Sequence, residues 1–272
     1  PAAETSTAIA QRELFIYWSY VRAQPLPLTQ AGLVQKRMLR GINEQLLSPD
    51  DSLASRTSES EAPRLHFLRL LLQELGLLVA GHGRLRVSGR RNQVPEFWQE
   101  SVEERAKACL KTWLHLRDWN ELTSLRMSAF DFDLPRARSM LLEQLHLLPP
   151  DLWVSSERFL KRLAIVAPGL LFQARDSMRP GNYHWDADYV ARQRQGIVKI
   201  EGAFIGGALS GPLHWLGILD VSTDEGRLLA FRVNASGAQA LDMETSETPK
   251  VSETSGVCEA RLIVQPNFQI FA

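Results

Sequence analysis

The chain has 272 residues, 44% hydrophobic and 23% charged, the balance of an ordinary globular protein with apolar material for more than one core. Basic and acidic side chains number 31 each, which excludes a global field that would draw the chain onto nucleic acid or an anionic membrane; electrostatic binding must come from a local patch. No stretch reaches the ~18 apolar residues of a membrane span, and Pro1-Ala2-Ala3-Glu4 opens without the basic and apolar segments of a signal peptide, so no membrane partner is expected.

In chain order, Ile9, Leu14, Phe15, Tyr17, Trp18 and Val21 recur at helical spacing over Ala8–Gln24, and Pro25 and Pro27 stop that helix. Thr29 reads as the N-cap of a second helix carrying Leu33, Val34, Met38, Leu39, Ile42 and Leu46. Ser48–Pro63, rich in Ser, Glu, Asp and Pro, reads as a solvated linker. A third helix is expected over Arg64–Leu75, ended by Gly76. Leu77-Leu78-Val79 and Leu85-Arg86-Val87 then flank Gly81-His82-Gly83 as a short β-hairpin.

Ser101–Leu122 reads as a helix opened by a capping box, Ser101 with Glu104. Helices are expected over Pro135–Leu147 and Ser155–Val166, a loop over Gly169–Gly181, and helical segments near Asp188–Ile200 and Ile200–Leu209. Leu213-His214-Trp215-Leu216-Gly217-Ile218-Leu219 then repeats the form of Leu72-Gln73-Glu74-Leu75-Gly76-Leu77-Leu78 and leads to a second hairpin across 218–233. Asn234-Ala235-Ser236-Gly237 hands over to a helix as Thr29-Gln30-Ala31-Gly32 does. Asp242–Ser255 reads as a second linker and Gly256–Ala272 as two short strands. The expected fold is therefore mainly α with small β-hairpins, in tandem winged-helix units: 1–100 an N-terminal unit, 101–180 a helical middle region, 181–244 a second unit, and 256–272 the start of a further β-containing unit.

No catalytic signature is present: no Walker A run, GxGxxG, GxSxG or HExxH, so neither catalysis nor a cofactor is expected. His184, Asp186 and Asp188 form the densest group of possible metal ligands but lack a further ligand, so no metal site is assigned. Asp131 and Asp133 read as a capping turn rather than an acid/base pair, and Trp113, Trp119 and Trp215 as core, with Trp215 packing between the last two helices. Cys109 and Cys258, far apart and outside any CxxC spacing, read as small buried hydrophobes; sparse cysteine fits a reducing, cytoplasmic compartment. The chain starts without Met and stops within a strand-like run, which reads as a piece of a longer protein.

The functional signal is basic. Arg84, Arg86, Arg90 and Arg91 cluster on the first hairpin and its exit, and Lys36, Arg37 and Arg40 form a second group on the second helix. Arginine on a wing donates paired hydrogen bonds to phosphate. Leu26-Pro27-Leu28-Thr29-Gln30-Ala31-Gly32, Arg64-Leu65-His66-Phe67-Leu68, Leu75-Gly76-Leu77-Leu78, Trp119-Asn120-Glu121-Leu122, Gly211-Pro212-Leu213-His214-Trp215 and Leu262-Ile263-Val264-Gln265-Pro266 together resemble the helicase-associated winged-helix region of bacterial proteins related to XPB-type helicases. That resemblance implies an accessory region of DNA-processing machinery, holding DNA weakly and non-specifically through phosphates, beside a helicase or another protein partner. Zero net charge is a poor match to a tight duplex binder, which keeps open the alternative of a protein-interaction scaffold.

Overall fold

The computed structural model describes residues 5–50, 53, 55, 56, 58–90, 93–125, 132–167, 169–171, 187–242, 263–264 and 270–271, with backbone alone at 124, 187–198, 263–264 and 270–271. The architecture is mainly helical, with two three-stranded antiparallel sheets and a two-stranded pair formed by β7 (Ile263–Val264) and β8 (Ile270–Phe271). No helix among the described residues is long and apolar enough to cross a membrane.

Helix α1 (Ser6–Ala23) starts where the Thr5 side chain accepts from the Ala8 amide, and it buries the stripe Ala10, Leu14, Tyr17, Trp18 and Val21. Pro25 and Pro27 then hold the chain extended as β1 (Leu26–Pro27). Thr29 does not cap the next helix. Its hydroxyl accepts from Leu33 N–H inside a turn that Gly32 completes at φ +73°, and Leu28 and Val34 bridge across that turn. Helix α2 therefore begins later, at Lys36–Asn43, with Gln35 as an extended N-cap.

The stretch expected as a solvated linker is anchored instead. Leu53 and Ala62 enter the core, and Glu59 is fully buried. The Glu59 carboxylate accepts from Val34 N–H at 2.6 Å and from Arg69 Nε at 2.5 Å, with His66 Nδ1 at 3.3 Å. A carboxylate supplied with three partners can be buried, and here it ties Glu59 to the Gly32 turn ahead of α2 and to Arg69 and His66.

Helix α3 (Pro63–Glu74) ends at Gly76 (φ +71°), and the chain returns as β2 (Leu78–Gly81) and β3 (Arg84–Val87). The sheet order is β1-β3-β2. Helix α4 (Val102–His115) opens with the expected Ser101/Glu104 capping box but stops well short of Leu122. The reason is Arg138, on α5 (Leu134–His146), which is fully buried and draws the chain into a bend. Its guanidinium donates to the carbonyls of Trp113, Leu116 and Trp119 at 2.8–2.9 Å, and to both oxygens of Glu121 at 2.9 and 3.0 Å. Backbone acceptors that a longer helix would have satisfied are taken by a side chain. Asp133 caps α5 by accepting from Arg136 N–H; Asp131 lies outside the described residues.

The second sheet draws its edge strand from the region expected as a helical middle, at the start of the helix expected from Ser155. Strand β4 (Val154–Ser155) pairs with β6 (Arg227–Val233), which pairs with β5 (Leu219–Asp224). Between them run α6 (Ser156–Val166), α7 (Ala187–Ser210), continuous where the sequence reading had two segments, and the short α8 (Pro212–Trp215). A helix, a short strand, further helices (α2 and α3 in the first, α6 to α8 in the second) and a hairpin thus follow one another twice, in 6–87 and 134–233, with the same order of strands in each sheet. Helix α9 (Ala235–Leu241) follows, capped by Asn234, whose side chain accepts from Gly237 N–H at 2.8 Å.

One apolar cluster runs through both repeats. The two meet at close quarters where α1 starts. A Cβ added to Gly217 would lie 2.2 Å from the Ser6 carbonyl oxygen, and Ser6 Oγ donates to Asp220 Oδ1. Trp215 packs against Phe67 of α3 (centroids 5.6 Å) and Trp119 (5.7 Å), rather than between the last two helices.

Candidate nucleic-acid interface

Strand β3 alternates. Leu85 points into the core against α1 and has no exposed surface, so its neighbours Arg84 and Arg86 must face solvent together. The register sets Pro27 and Gly81 on either side of Arg84, and Val79 opposite Arg86. At the tip, His82 (φ 51°) and Gly83 (φ 69°) are both left-handed, the two-residue turn whose twist matches a hairpin. The Arg86 guanidinium lies over Gly81, where an added Cβ would sit 3.8 Å from Nη2. Arg86 therefore leans toward the residue paired with Arg84, and two cations gather at one end of the hairpin.

Several arginines elsewhere are matched with acids, Arg64 with Glu13, Arg69 with Glu59, Arg138 with Glu121 and Arg232 with Asp220, while scattered exposed ones such as Arg117, Arg158 and Arg162 are not, among the described residues. Among the described residues no carboxylate pairs with Arg84, Arg86 or Arg90, all of which are exposed. Arg90 lies past Gly89 on the exit of the hairpin; Arg91 lies outside the described residues.

The second basic group comes close by way of the turn at Gly32. Leu28 N–H donates to the Gly83 carbonyl at 2.8 Å, Leu28 bridges Val34, and α2 starts two residues later. Two strand spacings, ~10 Å, thus separate the wing turn from the approach to α2. Arg37 and Arg40 are exposed and Lys36 is half-buried. The first turn of α2 holds no acid and two cations, at the helix end whose dipole disfavours positive charge by ~0.3–1 kcal/mol each.

The second hairpin has the same left-handed two-residue turn but mixed charge, with Arg227, the counterpart of Arg84, paired in register with Asp224. Its turn is Glu225 (φ 46°) and Gly226 (φ 79°), preceded by Asp224, and all three are exposed. Sequence reasoning placed both hairpins, but it missed that α3 is enclosed. Every residue from Phe67 to Leu72 is buried, and Phe67 is held between Trp119 and Trp215. The signal was available, because Leu68-Arg69-Leu70-Leu71-Leu72 is apolar on more than one helix face, the mark of a helix covered all round.

An apolar cavity of about 60 Å³ lies between α6 and α7, lined by Leu160, Leu163, Ala167, Leu170, Ile205 and Glu201. Burial pushes the Glu201 carboxyl above its ordinary range, offset in part by the amides of Leu171 and Leu170. Glu201 is the one ionisable group in its lining. Among the described residues no group of three His, Cys, Asp or Glu side chains is placed to hold a metal; His184 and Asp186 lie outside them. No protein-family model, no curated protein and no solved structure matches the chain.

Proposed function

We propose that the chain is a non-catalytic accessory module of two winged-helix units that holds nucleic acid through phosphate contacts from its first wing. The observation that carries this reading is the clustering of exposed arginines with no paired carboxylate among the described residues, Arg84, Arg86 and Arg90, along one strand of the first hairpin and its exit. The doubled order of helix, strand, helices and hairpin favours the winged-helix description, and so does the strand order within each sheet. The resemblance to the helicase-associated regions of XPB-related proteins fits a place beside DNA-processing machinery, with a helicase as a candidate partner.

The test is fluorescence anisotropy with labelled duplex DNA at several salt concentrations. Four arginines on four phosphates give a log–log slope of roughly −3 to −4. Replacing Arg84, Arg86, Arg90 and Arg91 with alanine flattens that slope and weakens binding; unchanged affinity in this variant removes the wing from the interface.

A second reading, a protein-interaction scaffold, draws on exposed apolar side chains on the second repeat. Leu152 and Trp153 are about half exposed, and the Arg232 guanidinium stacks over Trp153, 5.1 Å from its ring centroid. Aromatic and arginine anchors of this kind are common at protein interfaces. Absence of DNA binding at low salt would favour this scaffold.

A further inference from the structure

We propose that the first wing binds the sugar–phosphate backbone itself, of a single strand or a duplex alike, with no contact to the bases; this deepens, and rests on, the phosphate-binding reading above.

Base readout by helical modules needs a helix that can enter a groove and polar side chains free to meet base edges. Helix α3 is the third helix of its repeat and precedes the wing, the place from which such a helix would act, and it has neither. Residues Phe67–Leu72 are buried, with Trp119 and Trp215 closed over Phe67. Its polar side chains are occupied: Arg64 pairs with Glu13, His66 and Arg69 with Glu59, and Gln73 accepts from Arg69 at 2.5 Å. The exposed positions that remain are Pro63 and Glu74, a residue without a donor and a carboxylate that repels phosphate. The tip of the second hairpin sets Asp224 and Glu225 against the single arginine Arg227, a net negative surface.

The wing itself has the shape of a backbone reader. Arg84 and Arg86 stand in line on one strand, ~7 Å apart along its axis, an interval comparable to that between neighbouring phosphates of one strand. The positions flanking them in register are Pro27, Gly81 and Val79, none with a side chain able to hydrogen-bond a base edge. The site is a strip one backbone wide, with cations along it and inert residues at its sides.

The discriminating probe is an oligomer with sugars and phosphates but no bases. The full chain is bound to a fluorescein-labelled mixed-sequence single strand at low salt and challenged with unlabelled competitors of one length: the same strand, its duplex, duplexes of other sequence, and the abasic strand. The abasic strand is expected to compete within about threefold of the base-bearing strand, and duplexes of differing sequence to agree within the same factor, because a read base pair would cost about 1–3 kcal/mol. The Arg84→Ala/Arg86→Ala variant should lose affinity for all competitors together. An abasic strand weaker by more than about tenfold, or sequence-dependent duplex competition of that size, overturns the inference while leaving phosphate binding in place. Failure of every strand to bind overturns both.

Discussion

Arg138 shows how one side chain sets the course of a chain. It is charged, has no exposed surface, and is tolerated because Glu121 neutralises it while three backbone carbonyls use its remaining donors. Arg138→Ala leaves Glu121 buried without its cation, and urea unfolding should show a loss of ~3–5 kcal/mol; a loss under about 1 kcal/mol would mean that water relieves the carboxylate. Nothing in the sequence marks this pair, because the partners lie on separate elements and each is of an ordinarily exposed type. Cys109 was legible by contrast. Its setting among Ala106, Leu110 and Trp113 on one face of α4 reads as core, and the residue is buried. Burial pushes its thiol up to about 12, the nearby Arg105 charge notwithstanding. In a Cys258→Ser chain, a thiol reagent at pH 8 should therefore label Cys109 only after denaturant is added; prompt labelling of the native protein would contradict its enclosure.

At the scale of elements, the hairpins were legible because their glycines and alternating residues are local signals. The anchoring of the expected linker through Glu59 was not. The stretch's Ser-, Asp- and Glu-rich composition is that of a linker, and only the distant Arg69 and the Val34 amide turn Glu59 inward. The same distance hid the start of α2, since Thr29 has the chemistry of an N-cap and loses the role to a bridge between Leu28 and Val34. Burial pushes the Glu59 carboxyl up, but the His66 hydrogen bond, the Arg69 charge and the Val34 amide outweigh it and hold it below the ordinary range. A carboxyl depressed in the folded state lends stability that is complete above its unfolded value near ~4.3 and is lost as pH falls through the folded one. Glu59→Gln should thus be less stable than the parent by roughly 3 kcal/mol at neutral pH, with the gap closing below about pH 4. A pH-independent gap in chemical denaturation would show that the charge of Glu59 contributes nothing.

Across the whole molecule, the basic clusters were legible as candidates, but which surface remains for a ligand was not. The closing of Trp119 and Trp215 over Phe67 joins residues that no local pattern connects. The cluster that includes them is continuous through both repeats, so scanning calorimetry should show residues 1–242 unfolding in one transition whose calorimetric and van't Hoff enthalpies agree; two resolved transitions would mean that the repeats are energetically separate. Alanine at Arg84, Arg86 and Arg90 should leave that transition within about 0.5 kcal/mol of the parent, since these exposed hairpin residues take no part in the core. The contact between Gly217 and the first turn of α1 also bears on biosynthesis. Ser6 finds its partner Asp220 a full 214 positions later, so at ~5–20 residues per second the start of α1 leaves the ribosome on the order of 10–40 s before the surface that receives it exists. During that interval the first repeat can close its own hairpin, but the apolar side of α3 beneath Trp215 stays open, a nascent chain with a sticky face that a chaperone is suited to cover.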